Sequence, residues 1–341
     1  MFGRLTIWRS KGDHMDTLIS NGVNWIVAIQ ALGAWLEVPM RFFTLLGTEN
    51  FFLLILPLLY WCIDFGLGVR VALILLTSNY FNSLFKVLFA GPRPYWVSNK
   101  VLALASDPTF GIPSGHAQNV VGVWGIVAAH IRKPWAWTVA VALMFLIGFS
   151  RLFLGVHFVH DVLAGWLIGG ILLWAFMRFW DQAEAWLKRK TLGTQILIVF
   201  VISLLFIAFG GLAVGRLAGY TFPEEWKVNA LRASDELPTP VSLEGFITSA
   251  GTFFGLAAGI AWIVSRGGYQ AEGPIGKRAI RYIVGLIGIV VLWRGLGLVF
   301  PDQADLISYL LRYFRYSLVG FWISAGAPWL FFRFKLANSQ M

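Results

Sequence analysis

Charge and cysteine are what this 341-residue sequence has least of. Asp, Glu, Lys and Arg together make up 13% of it, and Cys62 is its one cysteine. A chain so poor in charge and 58% hydrophobic, with a mean hydropathy of +0.71, is excluded from the ordinary soluble enzymes and reads as a polytopic membrane protein. One cysteine cannot close an intrachain disulfide, so no disulfide framework is available. The opening MFGRLTIWRSKGDHMD lacks an apolar core followed by a small-residue cleavage site. No cleavable signal peptide is expected, and insertion falls to the spans themselves. Also missing is any concentration of charge. The net +10 is scattered among short loops rather than gathered on one face, which excludes nucleic acid as a partner and instead marks cytoplasmic loops.

Apolar runs are what the sequence has in abundance. Set against the roughly 20 residues that cross a bilayer, they give nine expected spans, at about 51–67, 71–90, 116–131, 136–155, 161–180, 195–215, 245–265, 279–299 and 316–334. The expected fold is therefore all-α, a polytopic membrane helical bundle. Residues 17–46 mix apolar side chains with Asn21, Asn24, Gln30, Glu37 and Arg41, the pattern of a helix lying along the interface or of a tenth span. No internal repeat or Pro/Gly-rich linker divides the chain. The expected parts are a tail and interfacial helix (1–46), a catalytic core (47–182) and C-terminal membrane helices (183–341). The last part carries an outer loop, 216–244, that reads equally as a lid or a connector. The short basic loops KRK (188–190) and GKRAIR (276–281) fall on the C-terminal side, which places the C-terminus in the cytoplasm.

Three polar islands interrupt the apolar runs. One is KVLFAGPRP, with Lys86 and Arg93; the second is IPSGH, with Ser114, Gly115 and His116; the third is SRLFLGVHFVHD, from Ser150 to Asp161. By the span count all three meet at one face, the extracytoplasmic one. Lys86, Arg93 and Arg151 are three cations near the hydrocarbon boundary, and within the islands only Asp161 offsets them. Such a cluster is costly unless an anion binds. A phosphate group suits it, held by forked guanidinium donors. If PSGH opens a helix, Ser114 is a good N-cap and Gly115 lets the backbone N–H approach an oxyanion. His157 and Asp161 are four apart and share a helix face. A carboxylate on one imidazole nitrogen fixes the tautomer and frees the other to attack phosphorus. His116 can protonate the departing alkoxide and then activate water. Positioned cations would stabilise the transition state without a metal.

The pattern K-x6-RP (Lys86 to Pro94), PSGH (113–116) and SR-x5-H-x3-D (Ser150 to Asp161) resembles the type 2 phosphatidic acid phosphatase (PAP2) superfamily over about residues 50–180. The resemblance implies a phosphohistidine on His157, oriented by Asp161, with His116 as general acid and base. It also implies that Lys86, Arg93, Ser114, Gly115 and Arg151 hold the phosphate, and that neither metal nor cofactor is used. The nine-span layout, GPRPYW (91–96), HFVH (157–160) and GTFFGL (251–256) look like the glucose-6-phosphatase branch. That branch does not keep the aspartate after its nucleophilic histidine, whereas lipid phosphate phosphatases do, as here.

Other polar residues have plainer readings. His157, His160 and Asp161 could suggest metal ligation, but three nearby cations would repel a divalent ion. His160 reads first as a residue simply sitting on the neighbouring helix face, with a supporting hydrogen-bonding group as the alternative, and His14 and His130 read as surface residues. Arg294 reads as structural, snorkelling or paired with Asp302 or Asp305. The leading expectation is a multi-pass membrane phosphatase acting on phosphate monoesters or diphosphates of lipids at the extracytoplasmic or lumenal face. Sugar phosphates, a lipid phosphotransferase, and a transporter or lipid-binding protein are the alternatives. Membrane lipids are its expected surroundings, and the sequence leaves the oligomeric state open.

Overall fold

The structure is a computed structural model that describes residues 12–234, 237–301 and 303–338, with side chains from residue 17 onward. Among the described residues every regular element is helical. The N-terminal part holds α1 (Gly12–Gln30), a 3-10 turn (Ala34–Leu36), α2 (Glu37–Leu45) and α3 (Glu49–Leu58) with a π-helical turn at Leu59–Ile63. Four elements of the core follow: α4 (Phe65–Phe89), the short α5 (Pro94–Val97), α6 (Gly115–Ile131) and α7 (Pro134–Phe153). Then come α8 (Val159–Lys188), α9 (Leu192–Arg216), α10 (Glu224–Leu231) and α11 (Glu244–Val264). The chain ends in α12 (Ile275–Val290), α13 (Leu296–Val299), α14 (Leu306–Phe321) and α15 (Ala327–Arg333), with π-helical turns at Val291–Gly295 and Trp322–Gly326.

Six of these segments are long and apolar enough to cross a membrane, seven if the bent N-terminal pair is one span. The expected count of nine is therefore not reached by length and composition. α6 has 17 residues, Glu49–Ile63 is shorter still, and a π-helical turn separates α14 from α15. The stretch expected as one interfacial helix is two helices, Thr17–Gln30 and Ala34–Leu45, meeting at 85°. The break falls at Gly33, whose φ of +118° is open to glycine without strain.

α6 sits at the centre of the N-terminal half, packed against α4, α7 and α8, while α11 ties α4 and α9 to α14. Small residues set these approaches. A Cβ on Gly165 of α8 would stand 2.6 Å from the Ser114 carbonyl oxygen, and one on Gly169 would stand 2.6 Å from that of Gln118. The α4–α6 seam is polar inside. Ser78 donates to Asn119, Asn119 to Asn79, Gln118 to Ser78, and Asn82 to both Gln118 and the Pro113 carbonyl. Satisfied amides in an apolar interior fix register where greasy side chains alone would let two helices slide.

At the opposite end of the bundle, buried Arg281 donates to the backbone carbonyls of Trp61, Ala271 and Glu272 and to the Tyr269 hydroxyl. It pins the loop before α12 to the π-helical turn after α3. Arg294 lies over the Trp293 ring, 4.6 Å from its centroid. The expected partner Asp305 instead caps α14 by accepting from Ser308 N, because an N-terminal backbone donor is nearer to it in sequence. Asp302 and the His14 side chain lie outside the described residues.

Candidate active site

The three polar islands converge as the span count required. Lys86 comes from the last turn of α4, Arg93 from the extended step before α5, and Ser114 to His116 from the start of α6. Arg151 comes from the last turn of α7, and His157 and Asp161 from the α7–α8 connection and the first turn of α8. Gly155, at φ +74°, turns the chain between α7 and α8, and a Cβ there would stand 2.4 Å from the Leu102 carbonyl oxygen.

Ser114 is the N-cap of α6 and accepts from the Ala117 N–H at 3.5 Å. Its own N–H donates to the Asp161 carbonyl at 2.9 Å, which ties the second island to the third. Arg93 is fully buried. It donates to the Thr109 and Phe110 carbonyls at 2.6 and 3.0 Å and to that of Val156 at 2.9 Å. Its Nη1 also lies 3.3 Å from His157 Nε2. Because a guanidinium can only donate, Nε2 carries the lone pair. Nδ1 then carries the proton, which it offers to Asp161 Oδ2 at 3.3 Å. Neighbouring groups thus assign the tautomer that nucleophilic attack through Nε2 requires. Burial foremost, then the Arg93, Arg151 and Lys86 cations, holds the His157 pKa well below the usual imidazole range, with Asp107 opposing them.

Two further polar atoms face this centre. His116 Nε2 and Arg151 Nε are buried without a hydrogen-bond partner among the described residues. Buried donors and acceptors are rarely left so, and an oxyanion with an ester oxygen would satisfy both. His160 is half exposed, stacks on Phe158 and places Nε2 3.2 Å from Asp161 Oδ1. His130 is also partly exposed, 4.0 Å from Asp64.

Sequence reading missed four contributors. Asp107, in the loop between the first two islands, pairs with Arg93 at 2.8 Å. Thr109 receives Lys86 Nζ at 2.6 Å. Thr44, at the end of α2, receives Arg151 Nη1 at 2.6 Å, and Gly47 lies against His116, where a Cβ would come within 2.9 Å of the ring. The one available signal was electrostatic, since three buried cations and one carboxylate leave a charge that needs company. Burial opposes the Asp107 charge, but Arg93, Lys86 and hydrogen bonds from Thr109 together outweigh it and hold its pKa well below the usual carboxylate range.

Residues 216–243 are more than a connector. Asn229 of α10 donates to the Trp96 carbonyl at 3.0 Å, Phe222 and Trp226 pack on the Trp96 ring, and Tyr220 packs edge-on to Phe110. Trp96 in turn lies over the Arg93 guanidinium. The loop therefore walls the cradle on one side.

Buried cations and histidines gathered at the ends of long apolar helices belong to an integral membrane protein. Comparison with known proteins narrows that class. Residues 67–185 match the PAP2 superfamily and residues 247–339 match the PAP2 superfamily phosphatase, transmembrane extension. The chain belongs to the PAP2 superfamily and is a phosphatase. It is similar to glucose-6-phosphatase 3 of Bos taurus, at 24% identity over 94% of this chain and 97% of that one. It is also similar to glucose-6-phosphatase catalytic subunit 1 of Felis catus, at 25% identity over 80% and 82%. Phosphatidylglycerophosphatase B of Bacillus subtilis (strain 168) is 28% identical over 46% of this chain and 80% of its own. A crystal structure of a transmembrane PAP2 type phosphatidylglycerolphosphate phosphatase from Bacillus subtilis aligns with 25% identity and a TM-score of 0.43. It covers 50% of this chain and 89% of that one.

Proposed function

We propose that the protein hydrolyses phosphate monoesters of lipids at the extracytoplasmic face, without a metal, through a phosphohistidine on His157. Nε2 of His157 attacks phosphorus while Asp161 holds the proton on Nδ1 and steadies the imidazolium-like charge that follows. Lys86, Arg93, Arg151 and the N-terminus of α6 at Ser114 and Gly115 hold the phosphoryl oxygens. His116 gives its proton to the leaving oxygen as the P–O bond breaks, then takes one from the water that releases inorganic phosphate.

The observation that carries the lipid reading is the position of α2. One side of it meets the site through Thr44 and Arg151, while Val38, Phe42 and Leu45 on the same helix are 77%, 56% and 52% exposed. A helix that touches the cradle and bares an apolar surface suits an amphiphile arriving from the membrane plane. The Trp96 side of the cradle is walled by residues 220–229. Asp161, the residue that lipid phosphate phosphatases share, supports the same reading. A second reading, a sugar phosphate, is favoured by the nearly full-length similarity to glucose-6-phosphatases.

The test is phosphate release by purified protein in detergent with EDTA present, using phosphatidate and glucose 6-phosphate, and His157→Ala as the control. The lipid reading expects phosphatidate to be preferred. Preference for the sugar phosphate moves the assignment to the second reading, and turnover by His157→Ala refutes the mechanism.

A further inference from the structure

Asp107 carries a negative charge inside a site designed to attract one. Its Oδ1 accepts from Arg93 Nη2 at 2.8 Å, from Thr109 N at 3.0 Å and from Thr109 Oγ1 at 2.7 Å. The Tyr95 hydroxyl clamps the same residue's backbone, donating to its carbonyl at 3.1 Å and accepting from its N–H at 3.2 Å. A carboxylate tied down at both ends cannot swing aside when substrate arrives. Each of these side-chain contacts falls on Oδ1. The side chain is 23% exposed beside a guanidinium that is 0% exposed, so the carboxylate forms the rim of the cradle and the guanidinium its floor. Glu49, exposed at the start of α3, lies within electrostatic reach of both Asp107 and Lys86. The rim is acidic over a cationic floor.

Arg93 bridges this rim to the reacting atoms, since the same guanidinium touches Asp107 and His157 Nε2. A phosphoryl group attacked by His157 docks one guanidinium away from the Asp107 charge. For a monoester, the N–P bond forms as the P–O bond breaks, His116 protonates the departing oxygen, and a neutral alcohol leaves. For a diphosphate, the leaving group is a phosphate whose negative charge grows as the bridging bond breaks. Like charges in a poorly screened site repel strongly.

Resting on the monoester reading above, we propose that Asp107 is a specificity-determining residue: fixed on Arg93 at the rim of the cradle, it reserves the site for single phosphates with neutral leaving groups and turns diphosphates away. The matched probes are a polyprenyl monophosphate and the diphosphate of the same chain, which differ by one phosphate. Wild-type protein should cleave the monophosphate with the higher kcat/KM. Asp107→Asn should raise the diphosphate-to-monophosphate ratio by about tenfold or more, the scale of one like charge at partial screening. Asp107→Glu, which keeps the charge, should hold the ratio near wild type.

Vanadate inhibition of each variant reports whether the cradle is formed. An unchanged ratio in a vanadate-binding Asp107→Asn protein overturns the proposal, as does an equal loss on both substrates. If Asp107→Asn does not fold, wild-type preference decides, and a wild type that favours the diphosphate overturns it. Failure of the functional reading looks different: wild type would release no phosphate from either probe, or His157→Ala would match it.

Discussion

Asp161 Oδ2 lies 3.3 Å from His157 Nδ1 and accepts from the Phe158 N–H at 2.9 Å. The carboxylate is thereby fixed by backbone before it meets the imidazole, and its hold on the tautomer does not depend on substrate. Asp161→Asn keeps the shape but can present its amide N–H to Nδ1, which favours the wrong tautomer. Turnover should fall by about 10²-fold or more, while vanadate still inhibits the residual activity. An unchanged rate would mean that another group orients His157.

The pairing was expected from four-residue spacing on one helix face, but His157 precedes the helix. α8 starts at Val159 with Phe158 as its N-cap, and His157 meets Asp161 across that cap. The meeting of the three islands followed from the order of the spans. Asp107 and Thr44 were not legible. Asp107 sits in an irregular loop, where no periodicity says which way a side chain points, and Thr44 is one hydroxyl on α2, which follows α1 after an 85° change of direction. Length and composition pick out six or seven of the nine expected spans for a related reason. Hydropathy reads length in residues, whereas π-helical turns and an angled N-terminal pair divide apolar sequence without making it polar.

Thr44 makes a prediction of its own. It accepts from Arg151 Nη1 at 2.6 Å, and hydrogen bonds to charged groups contribute about 1.5–3 kcal/mol. Thr44→Val keeps the volume and removes the acceptor, so Arg151 loses one restraint while His157 and Asp161 are untouched. KM should rise by about tenfold with kcat changed far less, and Thr44→Ser should restore binding. Steady-state kinetics separates the two parameters, and a loss confined to kcat would place Thr44 in a different role.

Gly165 tests whether helix approach sets the site. A Cβ there would stand 2.6 Å from the Ser114 carbonyl oxygen and 3.1 Å from the Ala117 Cβ. Neither can retreat without moving the start of α6. Gly165→Ala should cost about 1–3 kcal/mol and should lower activity together with thermal stability. Gly170, on the same helix, is different: a Cβ there would meet nothing within 4 Å, so Gly170→Ala should be neutral or slightly stabilising. Unfolding midpoints in detergent compare them directly, and equal behaviour of the two variants would contradict the packing argument.

His157 gives the pH dependence. Burial and the surrounding Arg93, Arg151 and Lys86 cations disfavour its protonated form. The free imidazole takes a proton at about 6.5. In the folded protein His157 should therefore stay neutral, with Nε2 able to attack, as pH falls through that value. The linkage has a definite sign. A folded pKa held below the unfolded one means that the unfolded chain binds the extra proton, so this contribution to stability is present above about pH 6.5 and is lost as pH falls below it. Asp107, also depressed, adds a loss of the same sign at lower pH. Carbon-13 NMR of labelled histidines, with the His157 signal assigned by its absence in His157→Gln, measures the first effect. A His157 resonance that titrates near 6.5 in the folded protein would contradict the buried cationic setting from which its nucleophilicity is argued.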